Sequence, residues 1–382
     1  MVIIYLDYNA TTPVDPLVVG VMAPLWSTNF GNAGSTHEFG LAAFAEVETA
    51  RDAVAKHLGV RPSEVIWTSG ATESNNLAIT GFVLSEEGKR RPKVLTLATE
   101  HKSVLDPLTS LARSGVEVVV LPVGHHGGLD FEVFERALSS GDVGLVSIMG
   151  ANNETGVIQD IEAVATLSKV YGARFHTDAT QLLGKAPLPH SLEAFDYLSF
   201  SGHKIYGPKG VGVLIARRGS PLEPVQLGGG QEFGRRSGTI NVPGVVGFAE
   251  ALKISLKALV EGEAKRQAEL VENLVNTFQE RLPGVDVISG DSPRIGNTVN
   301  LQFIGANADA VLANVPELCL STGSACNERT PGPSHVLRAM GLGEGAEECI
   351  RFSVGRSTVQ SDIDEAIDRL MPVIHRIRDL TS

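Results

Sequence analysis

A lysine set among small and polar residues, just past an apolar strand, is a candidate for imine chemistry. Lys204 has that setting in Ser201-Gly202-His203-Lys204-Ile205-Tyr206-Gly207-Pro208-Lys209-Gly210. The run fails the pattern G-x-x-x-x-G-K-[ST], because Pro208 follows Gly207, so a nucleotide phosphate loop is disfavoured. The competing reading of Lys204 is a solvated surface amine. Asp178, in His176-Thr177-Asp178-Ala179-Thr180-Gln181, sits at a strand end. A carboxylate there can hold a pyridine nitrogen in its protonated form and so keep the ring an effective electron sink. It can equally cap a following helix.

Thr68-Ser69-Gly70-Ala71-Thr72-Glu73 marks a strand-to-helix junction. Small residues expose backbone N–H groups there, a seat for a phosphate dianion, or simply a tight connection. His101, in Thr99-Glu100-His101-Lys102, can stack on a flat ring or move protons, or merely cap a helix. Cys326 lies in the polar segment Gly323-Ser324-Ala325-Cys326-Asn327 and is the best nucleophile of the three cysteines. Cys319 and Cys349 sit in apolar runs and read as small buried hydrophobes. Arg351 and Arg356 suit bidentate binding of a carboxylate, or a surface ion pair. Together these residues describe a pyridoxal-phosphate enzyme that acts on an amino acid with sulfur or selenium in its side chain.

The elements that must position them read as a crossover α/β fold. Val65–Thr68, Lys93–Ala98, Val116–Leu121, Val143–Met149, Arg174–Thr177, Tyr197–Ser201 and Val211–Ala216 are predicted strands. Helices are predicted over Ala71–Phe82, Val104–Arg113 and Ile161–Tyr171. Strands separated by helices imply a mainly parallel sheet, with ligands beyond the carboxyl ends of its strands. From Ala249 a long helix is predicted to Arg281, then strands near Val285–Ser289, Thr298–Phe303 and Glu348–Val354, then a closing helix from Ser361 to Arg378. The expected division is a large domain over 15–254 and a smaller α+β domain from 1–14 and 255–382.

The chain has 382 residues, 43% hydrophobic and 20% charged, which excludes a disordered chain. Its net charge of −12 argues against broad nucleic-acid or anionic-membrane binding. Three cysteines without a C-x-x-C pair speak for a reducing compartment and against structural zinc. Asp7 interrupts the apolar start, no basic segment precedes it, and no stretch nears the ~18 apolar residues of a membrane span. A cytoplasmic protein without a metal is expected.

The sequence resembles the cysteine desulfurases of the class V aminotransferase group, which have the type I pyridoxal-phosphate transferase fold. The resemblance runs through Tyr5-Leu6-Asp7-Tyr8-Asn9-Ala10-Thr11-Thr12-Pro13, Thr68–Asn76, Thr99–Lys102, Asn152-Asn153-Glu154-Thr155-Gly156, His176–Gln181, Ser201–Lys204, Arg236-Ser237-Gly238-Thr239, Gly323–Cys326 and Arg351–Arg356. It implies that pyridoxal 5'-phosphate is joined to Lys204, with Asp178 at the pyridine nitrogen and Gln181 at the phenolic oxygen. His101 would stack on the ring and serve as acid or base. Ala71, Thr72, Ser201 and His203 would hold the phosphate, and Thr239 would reach the phosphate of a partner subunit, which makes the protein a homodimer. Asn32, Asn153 and Arg351 would bind substrate, with Asn153 and Arg351 on its carboxylate. Cys326 would take sulfur from L-cysteine as a persulfide, leaving L-alanine.

Twelve residues separate Cys326 from Ala339, which matches the long cysteine loop of the housekeeping group. Asn327-Glu328-Arg329 departs from the small hydroxyl residues usual there, which changes loop charge and bears on partner choice. Phe30-Gly31-Asn32-Ala33-Gly34-Ser35 with Pro333–Arg338 resembles the branch serving DNA phosphorothioation. The implied acceptor is a protein of iron–sulfur assembly, tRNA thiolation or DNA phosphorothioation, without direct nucleic-acid or membrane contact. Asn152–Gly156 and Ser353–Thr358 are similar to selenocysteine lyases as well, so that activity and an aminotransferase of the same fold are the alternatives.

Overall fold

The computed structural model describes residues 3–322 and 333–381. Cys326 and Asn327-Glu328-Arg329 lie outside the described residues. The strands are β1 (Ile4–Tyr5), β2 (Val65–Thr68), β3 (Lys93–Leu97), β4 (Glu117–Leu121), β5 (Val143–Ser147), β6 (Arg174–Asp178), β7 (Tyr197–Ser201), β8 (Gly212–Ala216), β9 (Val285–Val287), β10 (Thr298–Phe303), β11 (Leu318–Cys319) and β12 (Cys349–Ser353). The helices are α1 (Pro16–Met22), α2 (Pro24–Ser27), α3 (Glu38–Leu58), α4 (Ala71–Leu84), α5 (Glu86–Arg90), α6 (Lys102–Arg113), α7 (Phe131–Leu138), α8 (Ile161–Val170), α9 (Val242–Val260), α10 (Glu263–Arg281), α11 (Ala308–Ala313), α12 (His335–Ala339) and α13 (Gln360–Thr381).

Seven strands form one sheet in the order β2-β8-β7-β6-β5-β3-β4. β8 runs antiparallel to both its neighbours, and the other adjacent pairs are parallel. Six strands therefore point the same way, and their carboxyl ends share one edge. Both sheet faces are covered, which is why these strands read as continuous apolar runs. Val65, Trp67, Leu95, Leu97, Val213 and Ile215 pack on one face with α3, α8 and α9 residues. Ile66, Val94, Leu145 and Leu214 pack on the other with α4 and α6 residues.

A second large cluster joins Ile4 and Leu6 to residues between Leu270 and Ile377, around the antiparallel sheet β12-β10-β9. Burying its Phe278, Phe303 and Phe352 stabilises this part by roughly 1.5–3 kcal/mol per side chain. The N-terminal segment thus crosses to the C-terminal part, through β1 paired parallel with β11.

The structure departs from expectation in two places. The helical stretch ending at Arg281 is two helices, broken at Gly262, whose φ of 95° turns the chain out of α9. That glycine supplies a left-handed conformation costly for other residues. Cys319 is half-buried, because β11 is a two-residue strand, whereas Cys349 is buried as expected.

Candidate active site

The carboxyl ends of β2, β3, β5, β6 and β7 open into a cavity of about 570 Å³. Its lining includes Ala71, Thr72, His101, Asn153, Asp178, Gln181, Ser201, His203, Lys204 and Arg351. Ten of the expected site residues are thereby gathered from segments spread over 280 positions of the chain.

One end is the β2–α4 junction. Gly70 has a φ of 152°, and a Cβ on Gly212 would lie 2.6 Å from Gly70 Cα. Two glycines thus let the backbone of β8 pass directly against the start of α4. Among the described residues no side chain caps that helix start. Its first amides, at Ala71 and Thr72, line the cavity and suit an anion. Arg236 holds the region from outside, with Nε 2.6 Å and Nη2 3.0 Å from the two carboxylate oxygens of Glu73.

Asp178 ends β6, and no helix follows it, so it is not a helix cap. Its Oδ2 accepts from Asn75 Nδ2 at 2.7 Å, and its Oδ1 from Thr180 N at 3.0 Å. On the same strand His176 is buried between Ser147 Oγ (2.8 Å) and Ser199 Oγ (3.0 Å), and burial lowers its pKa to about 4. His101 caps a helix and also lines the cavity. Its Nδ1 caps α6 by accepting from Ser103 N at 3.1 Å, and its ring lines the cavity. Burial pushes its pKa down, Asp178 opposes this, and Lys204 adds to it.

Lys204 closes a single 3-10 turn, Gly202–Lys204, just after β7. Its Nζ donates to Asn9 O at 2.6 Å and Ala10 O at 2.7 Å. His203 Nδ1 meets Thr11 Oγ1 at 3.2 Å, and burial lowers its pKa to about 4. Arg351, on β12, pairs with Asp7 and donates from Nη1 to Asn153 O at 3.0 Å.

Two expected residues stand apart. Asn32 is exposed and its Oδ1 accepts from Gly34 N, because it closes a local turn. Thr239 is exposed and does not line the cavity. Sequence reasoning missed Asn9, Asn75, Ser103 and Lys185. Asn9 is the hub: its N and Nδ2 donate to Ser353 Oγ, Asn153 O and Thr298 Oγ1. Its position inside Asp7-Tyr8-Asn9-Ala10 was visible, but nothing local marks an asparagine as a hub.

The mainly parallel sheet and this cavity define an α/β pocket lined by a helix start without a side-chain cap, a buried carboxylate and a lysine amine. The class-V aminotransferase family model matches residues 4–366, and the chain belongs to that family. It is 39% identical to a cysteine desulfurase, IscS, of Rickettsia felis over 99% of this chain and 92% of that protein. Among solved structures, a NifS-like protein superposes with a TM-score of 0.87 at 36% identity, over 99% of each chain. DndA from Streptomyces lividans does so with a TM-score of 0.77 at 39% identity, over 91% of this chain and 99% of that one.

The family's enzymes depend on pyridoxal 5'-phosphate. The residues present fit that group. A helix start without a side-chain cap, a buried carboxylate held by Asn75 and a lysine amine all border one cavity. Among the described residues no helix is long and apolar enough to cross a membrane.

Proposed function

We propose that this protein is a cysteine desulfurase, converting L-cysteine to L-alanine and passing the sulfur on through Cys326. The observation that carries this reading is one cavity bordered by Lys204, Asp178, His101 and Arg351 in a full-length relative of cysteine desulfurases. Pyridoxal phosphate, when bound, supplies a sink for the electron pair left at the substrate Cα. Lys204 would hold it covalently, Asp178 would face its ring nitrogen and Gln181 its phenolic oxygen. Ala71, Thr72, Ser201 and His203 would take its phosphate.

Arg351 and Asn153 orient the substrate carboxylate, which fixes the Cα–H bond toward Lys204. Lys204 Nζ moves the Cα proton. His101, whose lowered pKa keeps the ring neutral at pH 7, can accept or return a proton within the cavity. The Cys326 thiolate then attacks the substrate sulfur. The S–S bond forms as the substrate Cβ–S bond breaks, and its electron pair stays with the carbon skeleton, which is protonated to alanine. L-cysteine and one enzyme thiol thereby give L-alanine and one enzyme persulfide. The thiolate is the competent form, so activity rises toward mildly alkaline pH.

We propose a homodimer in the cytoplasm, with Thr239 completing the partner's phosphate site. Exposed Trp26, Phe30, Phe39 and Phe44, all at least half accessible, support such an interface. The proposed domain division is 15–254 against 1–14 with 255–382, supported by the two large apolar clusters. Asn32 would act only once a partner covers its turn. The acceptor is a protein of iron–sulfur assembly, tRNA thiolation or DNA phosphorothioation, and persulfide labelling with pull-down identifies it.

The deciding experiment incubates the purified, cofactor-loaded protein with L-cysteine and a thiol reductant. Equimolar alanine and sulfide are expected. Sulfide release by Cys326→Ala at the parent rate would overturn the reading. Faster turnover of L-selenocysteine with little of L-cysteine would assign a selenocysteine lyase instead. Conversion of a 2-oxo acid to an amino acid without sulfide would assign an aminotransferase.

A further inference from the structure

Behind the pocket wall, four residues past Gln181, lies a second lysine with no place in the reaction above. Lys185 is buried, and it does not line the main cavity. Its Nζ donates to Asn9 Oδ1 at 2.7 Å and to Gln181 Oε1. Among the described residues these are its two hydrogen-bond partners, and both are side-chain amide oxygens. Burial pushes this amine well below its ordinary range, and Lys204 and Arg351 add to the effect.

We propose that Lys185 is a positioning residue that fixes which way the side-chain amides of Gln181 and Asn9 face. A primary amide has a donor end and an acceptor end, and the pattern of neighbours decides its orientation. In both contacts Lys185 donates, so the amide end it favours is the oxygen. It thus turns Gln181 Oε1 to the rear and Nε2 forward. One hydrogen of Nε2 goes to Asn9 O at 3.0 Å. The other is free to meet an acceptor in the cavity that Gln181 lines.

The reversed amide would set Oε1 against the Asn9 carbonyl oxygen and against any oxygen of a bound cofactor. The same amine holds Asn9 Oδ1, which also accepts from Asn297 Nδ2 at 3.2 Å. Asn9 Nδ2 is thereby directed to Asn153 O at 3.1 Å and Thr298 Oγ1 at 2.8 Å. One buried amine therefore sets a donor toward the cofactor side and a donor toward the proposed substrate side. This inference rests on the reading that Gln181 faces the phenolic oxygen of pyridoxal phosphate.

The test uses Lys185→Met, which keeps the chain length and removes both donors. In the apo-protein, NMR hydrogen exchange of the Gln181 side-chain amide is expected to accelerate. In the loaded protein, pyridoxal-phosphate affinity is expected to fall about tenfold, the scale of one lost hydrogen bond. The pH midpoint of the bound cofactor's absorbance should move in the same direction as in Gln181→Leu. The double variant should move it no further. Lys185→Gln, which restores one donor, should recover part of the shift, and it serves in place of Lys185→Met if that variant does not fold.

Gln181 amide exchange at the parent rate in the Lys185 variants overturns the proposal whatever the cofactor does. So does a double variant whose shift is the sum of the singles. A parent protein that binds no pyridoxal phosphate contradicts the pocket reading instead, and the apo-protein exchange still decides the role of Lys185.

Discussion

Arg351 Nη2 lies 2.5 Å from Asp7 Oδ1, so the guanidinium proposed to bind substrate is already anchored on one edge by the N-terminal segment. Nη1 donates to Asn153 O, and among the described residues Nε has no hydrogen-bond partner. Asp7 fixes the plane of the fork. Arg351→Lys keeps the charge and loses the planar pair of donors. It is expected to raise KM for L-cysteine about ten- to hundredfold, the scale of one hydrogen bond to a charged group. Steady-state kinetics check this, and an unchanged KM would remove Arg351 from the substrate site. Asp7→Asn should raise KM less, because it loosens the fork without deleting it.

The two proposed nucleophiles separate by what each variant keeps. Lys204→Ala should bind pyridoxal phosphate only reversibly, so borohydride treatment followed by mass spectrometry finds no cofactor mass on the protein. Cys326→Ala should retain the borohydride-fixed label on Lys204 and release no sulfide. A fixed label on Lys204→Ala would move the amine elsewhere, and buried Lys185 would be the first alternative.

Glu154 gives a pH prediction. Burial pushes its carboxyl up to about 7, against the lowering pull of the Ser334 hydroxyl and of Arg351. The folded protein therefore keeps a proton that the unfolded chain releases near 4.5. The stability linked to that proton is full below about 4.5 and is lost as pH rises through 7. His176 and His203, lowered to about 4 by burial, act in the opposite sense as pH rises from about 4 to 6.5. Comparing Glu154→Gln with the parent cancels those histidines. The variant's advantage should grow between pH 4.5 and 7, to about 3 kcal/mol at most. Denaturant melts at pH 5 and pH 8 measure it, and an equal difference at the two values contradicts it.

The exposed aromatic surface predicts assembly. The purified protein should run at twice the mass of one chain in light scattering. A Trp26→Glu, Phe44→Glu double variant places charge on that surface and should shift the protein toward monomer. Cofactor affinity should fall about tenfold with it, since a monomer lacks the partner's Thr239. A monomeric parent with full cofactor affinity would refute both parts.

Much of the fold was legible because strands buried on both faces leave unbroken apolar runs. β2, β7 and β10 fall on their predicted residues. The helix α3 went unread because exposed apolar residues lie beside its buried stripe and blur the periodicity. Ala43, Val47, Ala50 and Val54 are buried, while Leu41 and Phe44 on the same helix are exposed. Gly262 was a visible break within the long helical pattern, yet a lone glycine there does not announce a left-handed residue.

The sequence by itself determined the chemistry on offer: an amine after a strand, a carboxylate at a strand end and small residues at a helix start. Those are local patterns, fixed by strand period, helix caps and side-chain type. Only the tertiary structure showed that Lys204 borders the cavity while Lys185 is buried outside its lining. It also decided that Asn9 bonds to Thr298, 289 residues away, and that Asp7 holds Arg351. The physical reason is that amides and charges acquire their roles from the donors and acceptors opposite them. Those partners arrive only when the sheet edge and the C-terminal cluster close on the N-terminal segment.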